Sequence, residues 1–250
     1  GRVQGQDPYG GEGLGDVRRN GSAPILVLLP GMDGTGSLFQ PLIDQLGCSF
    51  DSRVVRYPAT EALGYEALQR LVISSLPKDE PFVLLGESFS GPIAISIAAA
   101  QPPGLTGLIL CSTFAVSPRP LITALWPLAR ALPPRRAPSA VLDYLLLGRY
   151  SSTALRSALA SAVSQLSAAA FSARMRAIHT VNVLAKLKSI SVPVLYLQAT
   201  EDRLVPPSSC ALVQRELPAI RVVSITAPHC LLQAAAGDAA LAIGTFAEQL

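Results

Sequence analysis

Eleven consecutive residues, Val83-Leu84-Leu85-Gly86-Glu87-Ser88-Phe89-Ser90-Gly91-Pro92-Ile93, constrain the fold of this chain more than any other stretch. An apolar run, a Gly-x-Ser step and a small-residue helix start follow one another without a spacer. Such a segment turns a strand sharply into a helix and holds one hydroxyl at the tip of the bend. The bend puts Ser88 in a strained φ/ψ region, so the positions two before and two after must be small. Gly86 meets that need. Ser90 meets it less fully: the pattern reads Gly-x-Ser-x-Ser-Gly where glycine is usual at both places. Ser88 is therefore a candidate nucleophile. Taking Ser90 instead would place Ser88 and Pro92 at the small positions, and that frame fits worse.

A chain of 250 residues, half of them apolar and 15% charged, can bury one large core with room for an insertion. The net charge of +3 does not call for nucleic acid. Cys48, Cys111, Cys210 and Cys230 are widely spaced and read as reduced thiols. With His179 and His229 the only histidines, the usual zinc sites lack ligands, and no metal is expected. Residues 88–118 carry no charge, but Gln101-Pro102-Pro103-Gly104 cuts them into pieces too short for the roughly 20 residues of a membrane span. No signal peptide is visible, so a cytoplasmic location is expected.

Residues 1–24 hold seven glycines and read as a loose leader. Beyond them, near-continuous apolar strands alternate with helical spacing: strands at Ile25–Leu29, Arg53–Tyr57, Phe82–Leu85, Leu105–Cys111, Val192–Gln198 and Ile220–Ile225, and helices at Ser37–Leu46, Tyr65–Leu76, Pro92–Ala100, Pro207–Leu217 and Leu231–Leu250. Ser37 is a candidate cap for the first helix. This alternation predicts an α/β fold, a mostly parallel central sheet flanked by helices. Between about 115 and 188 the strand pattern stops. Helical spacing over Ser139–Leu147, Ala154–Gln165 and Ala168–Leu187 predicts an inserted helical cap, with residues 25–114 and 189–250 forming the core.

Ligands of parallel sheets bind outside the carboxyl ends of the strands. Four candidate residues fall there: Met32, Ser88, Asp202 and His229. A serine hydroxyl attacks only when a histidine can take its proton, and His229 follows the last strand. Asp202 is placed to accept the other ring proton, with Glu201 as the competing acid. The oxyanion donors are expected to be the backbone N–H groups of Phe89 and of Met32, in the loop Pro30-Gly31-Met32-Asp33-Gly34-Thr35-Gly36. That loop lacks the Lys-Ser/Thr of a phosphate loop.

The elbow, the glycine loop and the chain order Ser88, Asp202, His229 resemble the α/β-hydrolase superfamily. The resemblance spans residues 25–250. The helical insertion further resembles small esterases of the pimeloyl-acyl-carrier-protein methyl ester esterase type. The sequence departs from the pattern at Pro30, where many relatives have histidine, and at Ser90. The resemblance implies a serine carboxylic ester hydrolase working through an acyl-enzyme, without cofactor. Alternatives are a lyase or C–C bond hydrolase using the same residues, or a ligand-binding protein without turnover.

In the cap, Leu121, Leu125, Trp126, Leu145, Leu146 and Phe171 offer an apolar surface for an acyl or alkyl chain. Residues 115–185 also carry Arg119, Arg130, Arg135, Arg136, Arg149, Arg156, Arg174 and Arg176 against the single acid Asp143, a net of +7 over a body of −4. Such a cap can steer an anionic substrate or an acyl carrier protein, or the arginines can simply solvate an apolar segment.

Overall fold

The computed structural model describes residues 23–121 and 139–250. The leader prediction therefore lies almost wholly outside the described residues, as do Leu125, Trp126, Arg130, Arg135 and Arg136. Six parallel strands form one sheet: β1 (Ile25–Leu29), β2 (Asp51–Val54), β3 (Phe82–Glu87), β4 (Leu105–Cys111), β5 (Val194–Ala199) and β6 (Arg221–Ile225), in the spatial order β2-β1-β3-β4-β5-β6. The mostly parallel α/β architecture expected from the strand pattern is present.

Every residue of β1 and of β3 is buried, whereas the edge strands β2 and β6 keep exposed positions. Central strands read as unbroken apolar runs because both faces are covered. The faces still alternate. Ile25, Val27 and Leu29 join the core under α2 (Tyr65–Ser75) and α3 (Gly91–Ala99), and Leu26 and Leu28 join the one under α1 (Gln40–Leu46).

Between β4 and β5 the described chain carries α4 (Ser139–Leu146), α5 (Thr153–Gln165), α6 (Ala168–Thr180) and α7 (Leu184–Leu187). Ser152 and Ser167 cap α5 and α6, each accepting a backbone N–H three residues on. The chain closes with α8 (Pro207–Glu216), α9 (Leu231–Ala234) and α10 (Ala236–Ala247).

Four expectations are corrected. The strand expected at Arg53–Tyr57 lies at Asp51–Val54, where the Asp51 N–H donates to Pro24 O at 3.0 Å. The predicted helix 168–187 breaks after Thr180, because the Val183 N–H donates to Ala115 O at 2.8 Å and Val116 bridges Asn182. The predicted last helix breaks at Ala235, which leaves helical geometry at φ −130°. Ser37 caps nothing: its segment opens as a 3-10 turn after Gly36, at φ 73°, with no side-chain cap bond.

Strand order decides where a site forms. From β1 the chain moves to the edge at β2, then returns to the other side of β1 as β3. Parallel sheets open a crevice at such a reversal, at the carboxyl ends of the strands. The loop after β1 and the elbow after β3 flank it.

Candidate active site

At the end of β3, Ser88 adopts φ 48°, a left-handed conformation unfavourable for a residue with a Cβ. Its carbonyl accepts a hydrogen bond from Thr113 Oγ1, which pins the bend from the neighbouring strand end. Space is short around it. A Cβ on Gly86 would lie 2.8 Å from Ala94 Cβ and 2.9 Å from Ser90 O. Phe89 and Ser90 lie in a short 3-10 helix at the elbow, where the first backbone N–H groups lack a helical acceptor.

The departure at Ser90 has a partner in the departure at Pro30. The buried Ser90 hydroxyl donates to Pro30 O, and so accepts from Tyr57 Oη at 2.6 Å. The elbow is thereby fastened to the loop bearing Met32.

Ser88 Oγ lies 2.8 Å from His229 Nε2, and His229 Nδ1 lies 2.8 Å from Asp202 Oδ2. An ionised carboxylate only accepts, so it holds the ring proton on Nδ1 and leaves Nε2 free to take the serine proton. Asp202 is itself oriented: its Oδ1 accepts the N–H groups of Leu204 and Val205, each at 2.8 Å. The loops after β5 and β6 are stitched side by side, Thr200 and Glu201 donating to Ile225 O and Ala227 O at 3.0 Å each. Glu201, the competing acid, points elsewhere. It accepts from Arg149 Nη2 at 2.5 Å and Tyr150 Oη at 3.1 Å.

Burial of the His229 ring pulls its pKa down, but the charge and hydrogen bond of Asp202, with a push from Glu87, outweigh it. The net value lies above the ordinary 6.5. Glu87 is a carboxyl the sequence reading did not weigh. It is 7% exposed, and burial raises its pKa to about 7 despite a 3.0 Å hydrogen bond from Gln233 Nε2. Its signal was available: it ends an otherwise apolar strand, one residue before the serine.

Other expectations fare unevenly. Leu121 is 83% exposed, and Leu145 and Phe171 are half-buried. Cys230, the residue after His229, packs with Leu147 and Leu159, flanked by Leu38 and Leu155. Leu146 O accepts the Cys230 N–H at 3.1 Å. Among the arginines read as facing a partner, Arg174 is corrected: it is fully buried, its guanidinium spent on backbone carbonyls. Arg149 is paired with Glu201, while Arg156 and Arg176 stay exposed. Arg119, counted in the basic cap, donates to Arg203 O and Leu204 O at 3.1 Å each. Among the described residues no helix is long and apolar enough to cross a membrane.

A family model described as serine aminopeptidase, S33, matches residues 66–231. Solved structures share the fold. The enol-lactonase from Burkholderia xenovorans LB400 superposes with a TM-score of 0.79 at 18% identity, over 92% of this chain and 93% of that one. MenH from S. aureus gives 0.76 at 17%, over 92% and 96%, and an esterase from Exiguobacterium antarcticum 0.75 at 16%, over 91% and 93%. In sequence, 83 residues are 35% identical to phytyl ester synthase 1, chloroplastic, from Arabidopsis thaliana. That match takes in 31% of this chain and only 12% of that protein's length.

Proposed function

The chain belongs to the serine aminopeptidase S33 family of α/β-hydrolases, and on that footing we propose that it is a serine-dependent hydrolase of carboxylic acyl esters. The observation that carries this reading is the unbroken line Ser88 Oγ, His229, Asp202, with both links at 2.8 Å and the serine held in a strained bend. In the proposed cycle Ser88 Oγ attacks the ester carbonyl as its proton passes to His229 Nε2. The N–H groups of Phe89 and Met32 receive the oxyanion, and His229 returns the proton to the leaving alkoxide. Water, deprotonated by the same ring, then releases the acid. The helices between β4 and β5 serve as the cap, and the leucines around Cys230 favour an apolar acyl chain.

A second reading has the acyl-enzyme handing its acyl group to an alcohol in place of water. The stretch shared with phytyl ester synthase 1 favours it. A carrier protein as acyl donor rests, among described residues, on exposed Arg156 and Arg176.

A fluorophosphonate is expected to add one phosphonyl group to the peptide containing Ser88, and p-nitrophenyl esters from acetyl to long acyl are expected to turn over. No adduct together with no turnover would end the reading. Adding a long-chain alcohol separates the two fates by whether a new ester or only free acid accumulates.

Proton transfer needs a neutral imidazole, so kcat/KM should rise with pH through an apparent pKa above 6.5. Glu87 titrates in the same window, so the observed value belongs to the pair. Its negative charge holds the His229 proton on, and Glu87→Gln should move the acid limb to lower pH. An unmoved limb would show that Glu87 does not act on the ring.

A further inference from the structure

We infer that Arg174, on the proposed cap helix α6, is a positioning residue that anchors the turn after β1 and so keeps the proposed oxyanion donor, the Met32 N–H, in place. The inference rests on the ester hydrolase reading above.

The loop after β1 makes a tight turn, with the Gly34 N–H donating to Gly31 O at 3.1 Å. Gly31 C=O and Met32 N–H belong to one planar peptide and point in opposite directions, so this bond aims the Met32 N–H. The turn's central peptide, Met32–Asp33, joins the two halves of that turn and is the one that rotates between turn types, so fixing it fixes the shape of the turn that bears the Met32 N–H. Arg174 Nη1 donates to Met32 O on that peptide at 2.6 Å, and its Nη2 donates to Pro58 O at 2.9 Å. The guanidinium sits 5.8 Å from the Tyr57 ring centre. Gly34 makes room for it: at φ 71°, an added Cβ would fall 2.8 Å from Nη1. Tyr57 N–H in turn donates to Gly34 O at 2.9 Å, and the Tyr57 hydroxyl reaches the elbow through Ser90.

A fully buried guanidinium in no salt bridge with a described carboxylate, offset by the nearby charge of Asp33 and with its Nε without an acceptor, is a costly way to fill space. An alkyl side chain would pack there without leaving a donor unmatched. What the guanidinium adds is a rigid fork that ties α6 to two carbonyls, one of them on the Met32 turn. The proposed cap and the oxyanion donor are then mechanically one piece.

The test is Arg174→Met, which keeps an apolar stem of similar length, beside Arg174→Lys. Three quantities are read for each: kcat and KM on a p-nitrophenyl ester, and the inhibition constant of a trifluoromethyl ketone. Ser88 Oγ adds to that ketone's carbon, its proton passing to His229, and leaves an oxyanion in the proposed site. A misplaced donor should lower kcat about 100-fold with KM held within about threefold, and weaken the ketone by the same factor. Arg174→Lys should recover part of both, since its ammonium reaches one carbonyl. Unchanged kcat and ketone affinity beside a lowered Tm would overturn the inference, leaving Arg174 a structural tie. A raised KM at wild-type kcat would overturn it too, marking a substrate contact. Where Arg174→Met does not fold, Arg174→Lys decides: wild-type kcat and ketone affinity overturn the inference, and a joint loss at constant KM supports it. Failure of the hydrolase reading looks different. The wild type itself would neither hydrolyse the ester nor bind the ketone, and the inference would fall with it.

Discussion

Ser88→Ala is expected to lower hydrolysis of a short p-nitrophenyl ester by about 10⁶-fold, and Asp202→Asn by about 10⁴-fold. The first figure follows from deleting the attacking atom while keeping the Cβ, so the protein should still fold. The bend at Ser88 is held by its backbone, through the Thr113 hydroxyl, and not by its side chain. The second figure follows from how the carboxylate is seated. Leu204 and Val205 N–H groups both occupy Oδ1, each at 2.8 Å. In the Asp202→Asn variant the side-chain carbonyl oxygen must stay with those donors, and the amide nitrogen must take the Oδ2 position facing His229 Nδ1. A donor there forces the ring proton onto Nε2, where Ser88 needs an acceptor. Glu201 cannot substitute, being held by Arg149 and Tyr150. The double variant Ser88→Ala/Asp202→Asn should be no slower than Ser88→Ala alone, since the residues act as one unit. Steady-state kinetics on the three proteins decides it. Asp202→Asn within tenfold of wild type would mean that the ring takes its proton unaided.

Elements set by their immediate neighbours are legible in the sequence. The bounds of β1 and β4 are legible to the residue, because burial on both faces leaves largely apolar runs. The second strand was read as 53–57 and lies at Asp51–Val54: an edge strand carries half the apolar signal, and its start is fixed by the Asp51 N–H meeting Pro24 O. The predicted helix 168–187 was broken by a hydrogen bond to Ala115, a partner that helical periodicity does not contain. Composition alone makes Arg174 a surface charge, whereas helical phase places it on the buried side. Ala170, Ala173, Arg174 and Ala177 follow the spacing of a buried stripe, and of these Ala170, Ala173 and Arg174 are buried. Its acceptors, Met32 O and Pro58 O, lie 142 and 116 residues away in the chain. No local pattern announces them.

Gly91→Ala is expected to destabilise the protein by about 4 kcal/mol, a large effect for one methyl group. Backbone preference argues the other way. Gly91 sits at φ −56° and ψ −48°, where alanine is favoured over glycine by about 1 kcal/mol. Packing reverses the sign. The new Cβ would overlap Thr113 Oγ1 outright and lie 2.6 Å from its Cγ2 and 2.7 Å from its Cβ. Thr113 cannot retreat. It is fully buried, its Oγ1 donates to Ser88 O, its N–H donates to Tyr196 Oη at 3.2 Å, and its carbonyl accepts from the same hydroxyl at 2.5 Å. The methyl must therefore displace either the tie that holds the Ser88 bend or α3 itself, and kcat should fall together with stability. Thr113→Gly removes all three clashing atoms. The double variant Gly91→Ala/Thr113→Gly should accordingly be more stable than the two single losses added together predict, by about 2 kcal/mol. Urea unfolding of the four proteins measures that coupling. A Gly91→Ala midpoint within error of wild type would mean that Thr113 yields, and that the glycine one place beyond Ser90 is not what lets the elbow close. The expected result locates the tight spot instead. Where the pattern Gly-x-Ser-x-Ser-Gly lacks the usual second glycine, Ser90 fits because its side chain has partners in Pro30 and Tyr57, and the position that tolerates no Cβ is the next one along.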